Sequence, residues 1–218
     1  MSIYYQDEWV TLYLGDCLAE HREWLEADVL VTDPPYGTQP DSTAIGYGRK
    51  VQADGFRGQR IANDTTTDAR DAALAMWGNG PALVFGSPRL PDPPGQWADR
   101  LVWDKKRPGM NGGPWRYRHE SIYVTAGFVR ASNASVSILT AFPEQADHIH
   151  GKPLALMSSL MESAPPGVIA DPFAGSGSTL KAAKALGRRA IGVEINERYC
   201  EIAAKRLAQG ALDFGATA

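Results

Sequence analysis

Short apolar runs alternate with longer amphipathic stretches along most of this chain, which predicts strands alternating with helices. Residues 10–14, 28–32, 82–85, 100–103, 121–125, 168–170 and 189–194 read as strands. Residues 17–26, 67–77, 152–162, 177–186 and 197–208 read as helices, the second opened by a Thr/Asp cap and the third by Pro153. Such alternation implies one mostly parallel sheet covered by helices on both faces. Met157, Leu160 and Met161 fall at the spacing of a helical core stripe. Two stretches break the pattern. Residues 37–64 are rich in Gly, Asp, Thr and Gln with little apolar periodicity, and residues 105–114 are basic and rich in Gly and Pro. Loops of this kind are commonly functional or mobile.

The length of 218 residues, 44% hydrophobic, suits a single domain, 1–218, with one substantial core. A run of about 18 apolar residues is missing and the first residues are polar and acidic, so neither a membrane span nor a signal peptide is expected, and the location expected is cytoplasmic. Two cysteines, Cys17 and Cys200, make no disulfide framework. His148 and His150 lie near no cysteine or paired acid, so no metal site is expected.

The net charge of −3 argues by itself against a polyanionic partner, but the charge is unevenly spread. Residues 1–35 carry eight acids against one arginine, while residues 87–130 carry eight Lys or Arg against four acids. The basic stretch contains Lys105, Lys106, Arg107, Arg116 and Arg118, and residues 115–119 interleave aromatics with cations in the manner of nucleic-acid surfaces. A solvated loop followed by a half-buried edge strand gives the same pattern.

Two strings carry candidate chemistry, and each follows an apolar strand. Asp171-Pro172-Phe173-Ala174-Gly175-Ser176-Gly177-Ser178-Thr179 is a glycine-rich strand-to-helix turn that lets backbone approach a nucleoside cofactor. A tight turn without ligand would look similar. Glu194 ends the next strand, 23 residues beyond Asp171, where an acid accepts hydrogen bonds from ribose hydroxyls. The three-glycine dinucleotide fingerprint is absent, which counts against NAD. The second string, Asp33-Pro34-Pro35-Tyr36, sets a carboxylate, two rigid prolines and an aromatic ring on one turn. An exocyclic amine on a nucleobase is a poor nucleophile because its lone pair is delocalised into the ring. A carboxylate accepting one amine hydrogen and a backbone carbonyl accepting the other favour the pyramidal form that attacks, and Tyr36 offers a face to an extruded base. A simple proline turn closing a strand is the plainer alternative.

Together with residues 192–196 and His150-Gly151-Lys152-Pro153-Leu154, these strings resemble the DNA amino methyltransferases, over residues 10–208. The catalytic turn precedes the cofactor turn, as in that family's circularly permuted beta class. The resemblance implies a Rossmann-like α/β fold, with a seven-stranded sheet whose last strand is antiparallel. It implies S-adenosylmethionine as cofactor and DNA as partner. By position, Asp33, Pro34, Pro35 and Tyr36 match the catalytic turn. Asp171, Phe173, Gly175, Ser176, Gly177, Glu194 and Lys152 match the cofactor side. Asp16 matches an acid near the cofactor's adenine amine, though it also reads as a helix N-cap. Lys152-Pro153 equally reads as an ordinary proline-started helix. Asp at position 33 favours adenine over cytosine, since cytosine members often carry Ser there. Carbon-5 methylation is disfavoured, because neither cysteine follows a proline in an active-site loop. Methylation of RNA or of a protein glutamine, or an idle DNA-binding protein of the same fold, are the competing readings. Only residues 128–148 remain for target recognition, so a homodimer would offset the small footprint.

Overall fold

The computed structural model describes residues 3–35, 66–106, 115–129, 136–142 and 151–213. Among the described residues nine strands form one sheet: β1 (Ile3–Gln6), β2 (Val10–Leu14), β3 (Val29–Thr32), β4 (Ala82–Gly86), β5 (Asp99–Asp104), β6 (His119–Val124), β7 (Ile138–Thr140), β8 (Ile169–Asp171) and β9 (Ala190–Glu194). Four helices accompany them: α1 (Asp68–Trp77), α2 (Leu154–Met161), α3 (Ser178–Ala185) and α4 (Glu197–Asp213). The spatial order is β1-β2-β9-β8-β3-β4-β6-β5-β7. Pairing is parallel except that β1 runs against β2, and β6 runs against both β4 and β5.

The expected seven strands are therefore nine. The inner seven are mostly parallel, as expected, but their antiparallel member is β6, set between β4 and β5, rather than the last strand of the chain; β1 and β7 extend the two edges. Neither edge strand has a buried face that would have produced a hydrophobic alternation, and β7 has only three residues.

Every residue of β3, β4 and β8 is buried, as continuous apolar runs in a two-sided sheet require. Successive residues serve opposite layers. Val29, Val31, Leu83 and Phe85 pack with α2, α3 and α4, whereas Leu30, Ala82 and Val84 pack with Trp24 and with Ala73 and Leu74 of α1. Met157, Leu160 and Met161 join the first of these cores, as their spacing predicts.

The helix expected over residues 17–26 is instead a turn followed by one 3-10 turn at Glu23–Glu26. Asp16 closes the turn: its carbonyl accepts from the N–H groups of Glu20 and His21, and its Oδ1 accepts from the Leu18 N–H at 2.8 Å. The Arg22 guanidinium, at 3.0 Å, takes the Leu18 carbonyl that a helix would have used, and buried Trp24 donates from Nε1 to the Cys17 carbonyl. Side chains here outcompete the helical ladder for the same carbonyls.

Candidate active site

The chain leaves β8 toward β9 on one side, through α3, and leaves β3 toward β4 on the other, through α1. The direction of winding thus reverses between β8 and β3, which are neighbours. In such sheets the crevice beyond the carboxyl ends at the reversal is the ligand site. The sequence puts Asp33 at one of those ends and the glycine-rich turn at the other.

A buried hydrogen bond locks the two ends together. The Thr32 hydroxyl donates to Asp171 Oδ1 at 2.7 Å, and the Phe173 N–H donates to the same oxygen at 3.2 Å. Burial pushes the Asp171 carboxyl up to about 7, against the lowering effect of the Thr179, Thr32 and Phe173 donors. Asp171 is thus largely engaged within the protein, bracing the turn it begins.

Gly175 and Gly177 take left-handed conformations, φ 52° and 79°. A side chain at Gly177 would meet Ala203 Cβ at 2.9 Å, while one at Gly175 would meet nothing nearer than the Phe173 carbonyl at 3.9 Å. Gly177 therefore lets α4 approach closely, and Gly175 keeps the cleft open. Arg206 of α4 steadies the turn, donating from Nη1 to the Ser176 carbonyl at 2.8 Å and the Ser176 hydroxyl at 2.9 Å.

Glu194 ends β9 beside this turn. Its Oε2 accepts from the Gly175 N–H at 2.8 Å and its Oε1 from the Asn196 N–H at 2.9 Å, while burial raises its pKa. The Ile195 N–H also faces this carboxylate, which with about four acceptor sites still has capacity for a further donor. Two adjoining clefts share Phe173, Glu194 and Tyr199. One is walled by Gly15, Asp16, Cys17, Leu18, Pro35, Pro172, Ile195 and Asn196; the other by Asp33, Lys152, Asp171, Gly175 and Ser176.

Asp16, Asp33, Pro35, Lys152, Asp171, Phe173, Gly175, Ser176 and Glu194 are thus brought together, and buried Pro34 sits behind the Asp33 turn. Gly177 stands one step back, against α4. Tyr36 and Arg107 lie outside the described residues, as do residues 37–64. Of the recognition region expected at 128–148, residues 128–129 and 136–142 are described. Lys152 is directed at Asp33 and Glu120, with both of which it is ion-paired. Burial alone would depress its pKa, but the charges of Asp33 and Glu120 more than offset this and raise it.

The basic residues divide. Lys105 turns inward to pair with buried Glu120, whereas Arg116 and Arg118 are exposed, Arg118 bonding Asp104 at 2.8 Å. Lys106 is also exposed, 3.9 Å from Asp104. The end of β5 and the start of β6 lie on the same rim of the sheet as Asp33, because β6 is antiparallel to its neighbours. Tyr117 on that rim stacks against Arg89 at 5.2 Å.

Sequence reasoning missed Ile195, Tyr199, Glu120 and Arg206. Ile195 had a signal, an apolar residue directly after the strand-ending acid, and it is 44% exposed. The other three depend on tertiary contacts. Cys17 and Cys200 are buried free thiols, each pushed up to about 12 by burial, so neither is poised as a nucleophile. Among the described residues no helix is long and apolar enough to cross a membrane, and none group into a metal-binding cluster.

A DNA methylase family model matches residues 130–205. The chain is 37% identical over 107 residues to YubD, a protein of Escherichia coli (strain K12) named as a methylase. That match covers 46% of this chain and 47% of YubD, so the chain spans about half the length of that relative. It is 26% identical to the type II methyltransferase M.HinfI of Haemophilus influenzae, covering 90% of this chain and 68% of that one. Among solved structures, the M1.HpyAVI–SAM complex superposes with a TM-score of 0.61 at 24% identity, covering 91% of this chain and all of the other. The cytosine-N4-specific PvuII DNA methyltransferase gives 0.62 at 14% identity, with 94% and 88% covered. The chain has the α/β fold of these solved structures, and over residues 130–205 its sequence is similar to a DNA methylase family.

Proposed function

We propose that the protein transfers a methyl group from S-adenosylmethionine to an exocyclic amine of a base in DNA, adenine in preference to cytosine. One observation carries the reading: the Thr32–Asp171 bond ties the Asp33 turn to the glycine turn, so that Asp33 and Gly175 open on one cleft. The residues fit the cofactor. Gly175 leaves room where a side chain would intrude, Glu194 retains acceptor capacity beside it, and Phe173, Ile195 and Tyr199 supply apolar walls. When bound, S-adenosylmethionine supplies an electrophilic methyl on a sulfonium.

The protein's part is to hold and activate the amine. Asp33 accepts one amine hydrogen and a backbone carbonyl of the proline turn accepts the other, which localises the nitrogen lone pair for attack. The nitrogen must shed a proton once methylated, and an Asp33 carboxylate oxygen is the acceptor at hand. Pro34, buried, and Pro35 fix the turn, and Tyr36 is assigned the stacking of the extruded base. Asp16, in the wall of the first cleft, is assigned to the adenine end of the cofactor. Lys106, Arg116 and Arg118 are assigned to DNA phosphates, consistent with their exposure on the Asp33 rim.

The catalytic turn comes first in the chain, while the last two strands, β8 and β9, lie inside the sheet; this supports the permuted beta class. A homodimer is proposed to enlarge the DNA footprint, and sedimentation would detect it. Incubating the purified protein with methyl-labelled S-adenosylmethionine and unmethylated duplex DNA should label the DNA. Label appearing only in RNA or protein would replace DNA as the substrate, and no transfer at all would favour an idle DNA-binding protein.

A further inference from the structure

Charges alternate in one connected group at the cleft: Asp33, Lys152, Glu120 and Lys105. Lys152 Nζ is ion-paired with Asp33 Oδ2 and lies 3.3 Å from Glu120 Oε2, while Glu120 Oε1 pairs with Lys105 Nζ. The four residues come from the end of β3, the approach to α2, β6 and the end of β5. Lys152 is 6% and Glu120 8% exposed, and the ammonium sits 4.9 Å from the Phe85 ring and 5.8 Å from the Trp103 ring. A buried charge in apolar surroundings is tolerated only with good partners, and this ammonium has two carboxylates.

The two carboxylates share one cation, and the share matters. A carboxylate tightly paired with an ammonium is a weaker acceptor for a neutral amine. Glu120 divides the three donors of Lys152 with Asp33. We infer that Glu120 is a positioning residue for the proposed amine methylation, holding part of the Lys152 ammonium so that the Asp33 carboxylate stays receptive to an incoming amine. The inference rests on the reading of Asp33 as the amine acceptor. Glu120 touches neither substrate nor cofactor in this scheme and acts through Lys152.

A double-mutant cycle on single-turnover methyl transfer, at saturating DNA and S-adenosylmethionine, separates this from a merely structural role. Glu120→Gln should slow transfer about tenfold or more, with cofactor and DNA affinities within about twofold of the unaltered protein. In a Lys152→Met background the same substitution should change the rate by less than about twofold, because no ammonium remains to be shared. Glu120→Asp, which keeps the charge, should recover part of the rate. An equal loss in both backgrounds would overturn the inference, as would a Glu120→Gln rate equal to that of the unaltered protein. If Glu120→Gln does not fold, Lys105→Met serves the same cycle. It lets Glu120 hold Lys152 more strongly, so transfer should be faster than before, and in the Lys152→Met background it should have no effect. Slower transfer, or the same change in both backgrounds, would overturn the inference. Absence of transfer by the unaltered protein would remove the proposed function and this inference together, whereas robust transfer with additive losses would remove the inference alone.

Discussion

Thr32→Val probes the joint between the two turns. The substitution keeps shape and deletes one hydroxyl, 2.7 Å from a carboxylate oxygen that is 1% exposed as a residue. A buried acceptor deprived of one donor costs about 1–3 kcal/mol, and more when the acceptor is charged. Burial pushes Asp171 up to about 7 from 3.8, so between those values the folded protein binds the proton that the unfolded chain has released. Stability from this group is therefore greatest at low pH and falls as pH rises to about 7, by on the order of 4 kcal/mol in the limit. Removing the Thr32 donor raises the folded pKa further. The variant's loss must then be largest above pH 7, where Asp171 is charged, and smallest near pH 5, where it is protonated. Urea unfolding of both proteins at pH 5.5, 7 and 8.5 reads this directly. Near pH 8 the melting temperature should drop by about 2–12 °C, taking roughly 2–4 °C per kcal/mol for a chain of this size. Methyl transfer should fall as well, because the Asp33 turn and the glycine turn lose their common reference. A loss independent of pH, or none, would refute the account of Asp171 as a buried brace dependent on Thr32.

Asp33→Ala should abolish methyl transfer while leaving S-adenosylmethionine affinity, measured by isothermal titration, within a few fold; equal loss of both would reassign Asp33 to the cofactor. Gly177→Ala should destabilise the protein by about 1–3 kcal/mol in urea unfolding, since it meets both a left-handed φ of 79° and Ala203 Cβ at 2.9 Å; a neutral result would mean that α4 yields easily. Neutralising Arg116 and Arg118 together should lower the slope of log affinity against log salt for duplex DNA by roughly 0.9 for each phosphate no longer neutralised, with cofactor affinity unaltered. An unchanged slope would make that rim solvated surface.

The centre of the sheet was legible because β3, β4 and β8 are buried throughout, and the two turns that line the cleft were legible because Gly and Pro mark them. Residues 17–26 were misread because their apolar spacing fits a helix, while the bonds of Asp16 to a local N–H and of Arg22 and Trp24 to local carbonyls leave no periodic trace. Lys105 was read as a phosphate ligand from its place in a basic run, and only the pairing of β5 with β6 brings buried Glu120 within its reach. The same limit hid Glu120 itself, an isolated acid at the start of an apolar strand. Asp171 and Glu194 were singled out by position, and both line the cleft, but the engagement of Asp171 with Thr32 spans 139 residues of chain and belongs to the fold.

The central claim, that Asp33 activates an exocyclic amine, is tested most directly by identifying the methylated nucleoside. DNA treated with the protein and S-adenosylmethionine, digested and resolved by mass spectrometry, should contain N6-methyladenine, and DNA treated with the Asp33→Ala protein should contain none. N4-methylcytosine would keep the chemistry and move the base; 5-methylcytosine, or methylated amine from the Asp33→Ala protein at an undiminished rate, would contradict the claim.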